Sequence, residues 1–155
     1  MEYGSIEREI RIDASPEVVF DVVSSPEHLK EWWPDEATLD PVPGGTGELV
    51  FGDGDDPRAH VAAVTVVEAE PYRLFSFRWT HPADEVATAS NSLLVTFELT
   101  PTDGGGTALK MTEVGFREQG WEVAVLEEQY NDHVNGWNFF IPRLGEYVTR
   151  LVASR

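Results

Sequence analysis

The stretch at residues 135–148, NGWNFFIPRLGEYV, decides the fold more than any other part of the sequence. In and around it, apolar residues recur at steps of three and four, the spacing typical of a helix with one buried stripe. These residues are Val134, Trp137, Ile141, Leu144, Val148 and Leu151. We therefore predict a long helix over residues 130–152. A kink or local break is expected at residues 138–142, because Pro142 lacks the N–H that an interior helical residue donates.

Most of the chain before this helix is predicted to form strands. Apolar and polar residues alternate with period 2, most clearly at residues 72–80, where Phe75, Phe77 and Trp79 share one face. Further strands are predicted at residues 7–12, 48–51, 58–68 and 93–99, and around Leu109 and Met111. Hairpin-type turns between them, such as residues 103–106, DGGG, indicate one antiparallel sheet.

Two short helices are predicted immediately after the first strand. Each begins with the tripeptide Ser-Pro-Glu, at residues 15–17 and 25–27. A hydroxyl at the N-cap, proline at the first helical position and an acid in the first turn are strong helix-start signals. The fold class is therefore α+β: a curved antiparallel sheet around a long C-terminal helix, in one domain covering residues 1–155. Such a sheet wrapped around a helix commonly encloses a pocket.

Composition narrows the class of partner. Among 155 residues, 28 are acidic and 11 basic, giving a formal net charge of −17. A field of that sign repels phosphate backbones and anionic lipid surfaces, so we expect neither nucleic acid nor membrane as a partner. The sequence has no membrane-spanning run and no signal peptide, which predicts a cytoplasmic location. Cysteine is absent, and a homodimer is left open.

Four segments in order resemble one family over nearly the whole chain. They are residues 14–20 (ASPEVVF) with Trp32 and Trp33, residues 68–79 (EAEPYRLFSFRW), residues 107–113 (TALKMTE), and Gly136-Trp137 followed by the apolar spacing of the last helix. Together they resemble the START-like, or SRPBCC, superfamily, in the branch of the activator of heat shock protein 90 ATPase. The resemblance implies a helix-grip fold with a deep cavity. Members include lipid carriers, hormone receptors, polyketide cyclases and co-chaperone domains.

An unusually large aromatic set is expected to line that cavity. An apolar cavity with a few polar groups is the default ligand site. Met111, Tyr130 and His133 are placed with the set, which comprises Trp32, Trp33, Phe51, Phe75, Phe77, Trp79, Phe97, Trp121 and Trp137. For any one of these aromatic residues, simple core packing is the alternative.

Glu113 is the strongest single candidate for a functional side chain. With Leu109 and Met111 it falls on the apolar face of its strand, where an acid is not expected. Such a carboxyl could hydrogen-bond a ligand or act as an acid or base. The alternative is that the strand ends by Thr112 and leaves Glu113 solvated. No histidine pair has metal-ligand spacing, so neither a metal site nor a cofactor is predicted.

Three functions follow as hypotheses. The first is a binding protein for a small hydrophobic or aromatic metabolite, oriented by Glu113 and His133. The second is an enzyme of polyketide cyclase or hydratase type that uses Glu113 as acid or base. The third, implied by the name of the family branch, is an interaction module for a chaperone or regulator. No catalytic constellation is evident in the sequence, so the first hypothesis leads.

Overall fold

A single curved antiparallel sheet organises the protein. The structure is a computed structural model and describes residues 3–52 and 60–154. Within those residues the sheet has seven strands, in the order β1-β7-β6-β5-β4-β3-β2. They are β1 Ser5–Ile12, β2 Glu36–Leu39, β3 Thr46–Phe51, β4 His60–Glu70, β5 Leu74–His81, β6 Leu93–Pro101 and β7 Thr107–Val114.

The inward face of the sheet follows the alternation predicted from sequence. Neighbouring strands align Val66, Phe77, Val95 and Ile6 in one row across the sheet. Glu113 lies in the same row, between Val95 and Ile6, and is fully buried. The prediction that Glu113 belongs to the apolar face is confirmed, and β7 continues one residue beyond it.

Two short helices cover one end of the sheet, as predicted. These are α1, Pro16–Ser24, and α2, Pro26–Trp32. Ser15 caps α1, since its Oγ accepts from the N–H of Val18 at 3.3 Å. The same tripeptide at residues 25–27 also marks a helix start, with Ser25 at the N-cap of α2, but the Ser25 side chain does not cap the helix. The Ser25 hydroxyl donates to Asp21 Oδ1 at 2.6 Å instead, because the preceding helix offers a carboxylate within reach.

The long helix α3, Val123–Ala153, packs against the concave face and buries Trp137, Ile141, Leu144 and Val148. It starts seven residues before the predicted residue 130. Its first turns are polar or exposed on most sides, so they carry little periodic signal. Of the kink or local break expected at residues 138–142, the break is wrong, because the helix passes through the exposed Pro142 without interruption, and the kink stays a prediction. Sheet and helix together form the predicted helix-grip architecture.

The strand β2 was not predicted. It pairs with β3, where Gly47 faces Leu39. A Cβ at Gly47 would overlap the carbonyl oxygen of Thr38, so glycine is what allows β2 to approach. Two residues of the predicted strand at 58–68 lie outside the described residues, and β4 runs on to Glu70. No helix in the described ranges is long and apolar enough to cross a membrane.

Candidate functional site

A cleft of about 820 Å³ opens between the first half of α3 and the β3–β6 part of the sheet. Its wall is mainly aromatic, with a few polar side chains from α3. The residues that form it are Trp33, Phe51, His60, Trp79, Thr80, Leu93, Trp121, Gln129, Asp132, His133, Asn135, Gly136, Trp137, Phe139 and Phe140. This combination of a large apolar surface and a small number of polar groups is typical of ligand sites.

Trp33 is the centre of the aromatic wall. It follows α2 directly, and its ring centroid lies 5.0 Å from that of Trp79 and 5.1 Å from that of Trp137. Phe51 packs edge-on against it at 6.0 Å. Three elements that are distant in sequence thus each contribute an indole to one surface, and a flat ligand could stack against it.

The carboxylate of Glu113 lies beneath this wall and binds three N–H donors. Its Oε2 accepts from Trp79 Nε1 at 2.7 Å, and its Oε1 accepts from Trp137 Nε1 at 2.8 Å and from His133 Nδ1 at 2.9 Å. A buried charge is tolerated only when it is paired and hydrogen-bonded, and both conditions are met here. Glu113 therefore fixes the orientation of two tryptophans and the histidine.

His133 has an unusual electrostatic environment. Burial lowers the pKa of its imidazole, but the hydrogen bond and the charge of Glu113, with a contribution from Asp132, outweigh burial and raise the pKa above the ordinary 6.5. The protonated imidazole therefore persists to higher pH than it does in an ordinary histidine. When it is protonated, it forms an ion pair with Glu113.

Backbone strain is located at the edge of the cleft. Thr80 has φ 69°, a left-handed conformation that is rare for a β-branched residue. It is the extra residue of a β-bulge, since Trp79 pairs with Val64 while His81 pairs with Ala63. Bulges of this kind re-aim side chains and occur beside functional sites.

The structure divides the predicted cavity residues into two groups. Trp33, Phe51, Trp79, Trp121, His133 and Trp137 line the cleft. Outside the cleft wall, and buried deeper in the core, lie Trp32, Phe75, Phe77, Phe97, Met111 and Glu113. Tyr130 also lies outside the wall, and its hydroxyl donates to the carbonyl of Ser5 at 2.7 Å.

Sequence reasoning missed several cleft residues on α3. Gly136 and Phe140 line the cleft beside His133 and Trp137. Their spacing of three and four along one helix could have indicated them, because such residues share a helix face. Thr80 gave no signal, since a bulge depends on strand register. In the described part of the chain, no group of three or more Asp, Glu or His side chains could hold a metal ion.

Known structures share this fold. A protein from Mesorhizobium loti matches with 25% identity and a TM-score of 0.72, over 94% of this chain and 97% of its own. A protein from Nitrosomonas europaea matches with 18% identity and a TM-score of 0.74, over 99% of both chains. DynU16, from the dynemicin biosynthetic locus, matches with 20% identity and a TM-score of 0.68, over 94% of this chain and 47% of its own.

No curated protein matches the sequence significantly. The family described as Activator of Hsp90 ATPase homolog 1-like protein matches residues 13–149, which is most of the chain. The match includes both short helices, strands β2 to β7 and nearly all of α3. The protein therefore belongs to the Activator of Hsp90 ATPase homolog 1-like family, a branch of the START-like superfamily.

Proposed function

We propose that this protein binds a small hydrophobic or aromatic metabolite in the cleft between α3 and the sheet. The observation that carries the proposal is the joint orientation of Trp79, Trp137 and His133 by one buried carboxylate. Burying a carboxylate is costly, and a core could be filled more cheaply with apolar side chains. A surface held so firmly beside an open cleft is suited to receiving a ligand.

Gly136 provides a direct test. It lines the cleft, and a Cβ added there would meet nothing within 4 Å. A leucine at this position should therefore project into the cleft and block it without disturbing the fold. It should also favour the helix, because glycine costs about 1 kcal/mol relative to alanine inside a helix.

The experiment compares the wild type with Gly136→Leu, using naphthalene derivatives as probes and tryptophan fluorescence and thermal shift as readouts. A probe at 100 times its dissociation constant should stabilise the wild type by about 2.7 kcal/mol. Gly136→Leu should bind no probe. The matched control is Gly145→Ala on the same helix, where a Cβ would make only ordinary contact with Ile10. Equal binding by all three proteins would refute the proposal.

A second candidate, an enzyme of cyclase or hydratase type, is favoured by the same histidine. The carboxylate of Glu113 already accepts three N–H groups and is not part of the cleft wall. The acid or base role would therefore belong to His133, positioned by Glu113. Turnover of a polyketide-like substrate that is lost in His133→Gln, with ligand binding retained, would support this candidate over simple binding.

A further inference from the structure

The ring of His133 is held in one orientation from three directions. Its Nδ1 donates to Glu113 from β7. Trp79 from β5 packs against it with ring centroids 5.4 Å apart, and Phe116, which follows β7, packs edge-on at 5.3 Å. An imidazole confined in this way presents a fixed direction for its second nitrogen.

The hydrogen bond from Nδ1 to the buried Glu113 leaves the second nitrogen, Nε2, as the one available to the cleft. His133 is part of the cleft wall, and its Nδ1 edge points away from the cleft toward the buried carboxylate. Among the residues that the structure describes, Nε2 has no hydrogen-bond partner. It is also not among the buried side-chain polar atoms that lack a partner. The sole buried side-chain polar atom without a partner in the described ranges is Ser76 Oγ. Nε2 is therefore accessible to a molecule in the cleft.

The charges around His133 define what Nε2 can bind. The titratable groups that face it are Glu113 from β7 and Asp132 from α3 itself, while β5 and the segment after β7 contribute the uncharged Trp79 and Phe116. Both acids favour the imidazolium, in which Nε2 carries a proton and donates. An anion gains little by approaching Nε2, for three reasons. Glu113 cancels the positive charge of the imidazolium, the carboxylate of Asp132 is nearby, and the whole chain carries a formal net charge of −17.

We propose that the ligand is a flat aromatic molecule bearing a neutral carbonyl group, whose oxygen accepts a hydrogen bond from His133 Nε2 while its ring packs against Trp33, Trp79 and Trp137. This inference rests on the proposed function of the cleft, and it adds the chemical class of the ligand. His133 contacts the ligand, and Glu113 is a positioning residue.

Three probes of nearly the same shape test the inference. These are 2-acetylnaphthalene, which has a carbonyl, 2-ethylnaphthalene, which has no acceptor, and 2-naphthoate, which is an anion. At a pH of about 6.5, 2-acetylnaphthalene should bind roughly tenfold or more tightly than 2-ethylnaphthalene, since a hydrogen bond to a charged donor contributes about 1.5 kcal/mol or more. It should also bind more tightly than 2-naphthoate. Its advantage over 2-ethylnaphthalene should shrink as the pH rises through the pKa of His133.

The variant His133→Gln should remove most of the preference for the carbonyl while 2-ethylnaphthalene still binds. A second measurement does not depend on this variant folding. In wild-type protein labelled with ¹⁵N-histidine, 2-acetylnaphthalene should shift the Nε2 resonance of His133, and 2-ethylnaphthalene should leave it much less changed.

The outcomes separate this inference from the proposed function. Equal binding of the first two probes, blocked by Gly136→Leu, would uphold the cleft as a binding site and overturn the carbonyl assignment. Preferred binding of 2-naphthoate would overturn the neutral acceptor in favour of an anion. Binding of none of the three would overturn the proposed function, and this inference with it.

Discussion

The two ends of the concave sheet face are built from the same alternation of residues but differ in what covers them. At one end, Phe75 and Phe97 are fully buried beneath α1 and α2, with Phe20 and Trp32 packed edge-on against them. At the other end, Trp79 and Phe51 face the open cleft beside α3. Alternation thus predicts which side chains point inward. It does not predict whether the space they point into is filled.

Polar groups and strain are concentrated at the open end. The closed end is held by apolar packing, whereas the open end contains the Glu113–His133 pair and the bulged Thr80. A close-packed core needs neither feature. The difference indicates that the open end is shaped for something besides stability, and the following predictions test that distinction, from the largest expected effect to the smallest.

Removing the carboxylate should produce the largest loss of stability. In Glu113→Ala, the Nδ1–H of His133 and the indole N–H groups of Trp79 and Trp137 lose their acceptor. Breaking a buried ion pair from one side costs about 3–5 kcal/mol in unfolding free energy. Chemical denaturation would measure it. The control is Glu98→Ala on the exposed side of β6, which should change stability by no more than about 0.5 kcal/mol. Similar values for both variants would contradict the central role of Glu113.

A second pair of variants compares the two ends directly. Phe97→Ala empties part of the closed end and should cost about 3–5 kcal/mol of unfolding free energy, because the surrounding core cannot fully collapse. Phe140→Ala changes a partly exposed residue of the cleft wall, so it should cost less stability. Probe binding should respond in the opposite order, with the larger loss for Phe140→Ala. If both variants changed binding equally, the distinction between the two ends would fail.

Relieving the strain at Thr80 should stabilise the protein. Glycine adopts a φ of 69° without the steric cost that other residues incur there, so Thr80→Gly should gain about 1 kcal/mol. Thr96→Gly, in the regular part of β6, is the matched control and should lose about 0.5–1 kcal/mol. Thermal melting of both variants would show the opposite signs. A loss in both would mean that the bulge is not strained.

The smallest expected effect is the dependence of stability on pH. The folded-state pKa of His133 is raised above 6.5, so its contribution is fully present below about pH 6.5 and is lost as pH rises through the folded value. The difference in unfolding free energy between wild type and His133→Gln should therefore shrink as pH rises from about 5 to 9. If this difference did not change with pH, His133 and Glu113 would not form an ion pair.

The fold could be predicted from the sequence because its main elements have strong local signals. The stripe on α3, the alternation in β5 and the two Ser-Pro-Glu tripeptides are all visible within a few residues. Strand β2 was not predicted because it is short, and the first turns of α3 were not predicted because they are largely exposed. The hydroxyl of Ser25 did not cap α2, since Asp21 competes for it from the preceding turn.

The site was less predictable, because it depends on which elements meet. The alternation of side chains along β7 predicted that Glu113 lies on the inward face. Only the three-dimensional arrangement brings Trp79, Trp137 and His133 to its two oxygens. It likewise separates Phe51, which lines the cleft, from Phe75, which does not. Whether the cleft residues bind a ligand, and whether residues 1–155 act as one domain, stay predictions.

The pairing of the first strand with the last has a consequence for how the chain folds. Among the strands that the structure describes, β1 has one neighbour, β7, and its Ser5 carbonyl accepts from Tyr130, 125 residues along the chain. During synthesis β1 emerges early, but its pairing surface must wait until β7 has been made. Sheets closed by such distant contacts fold slowly and expose apolar strands in the meantime. The charges at Glu7, Arg8, Glu9 and Arg11 lie where they can keep this waiting strand from pairing with another chain.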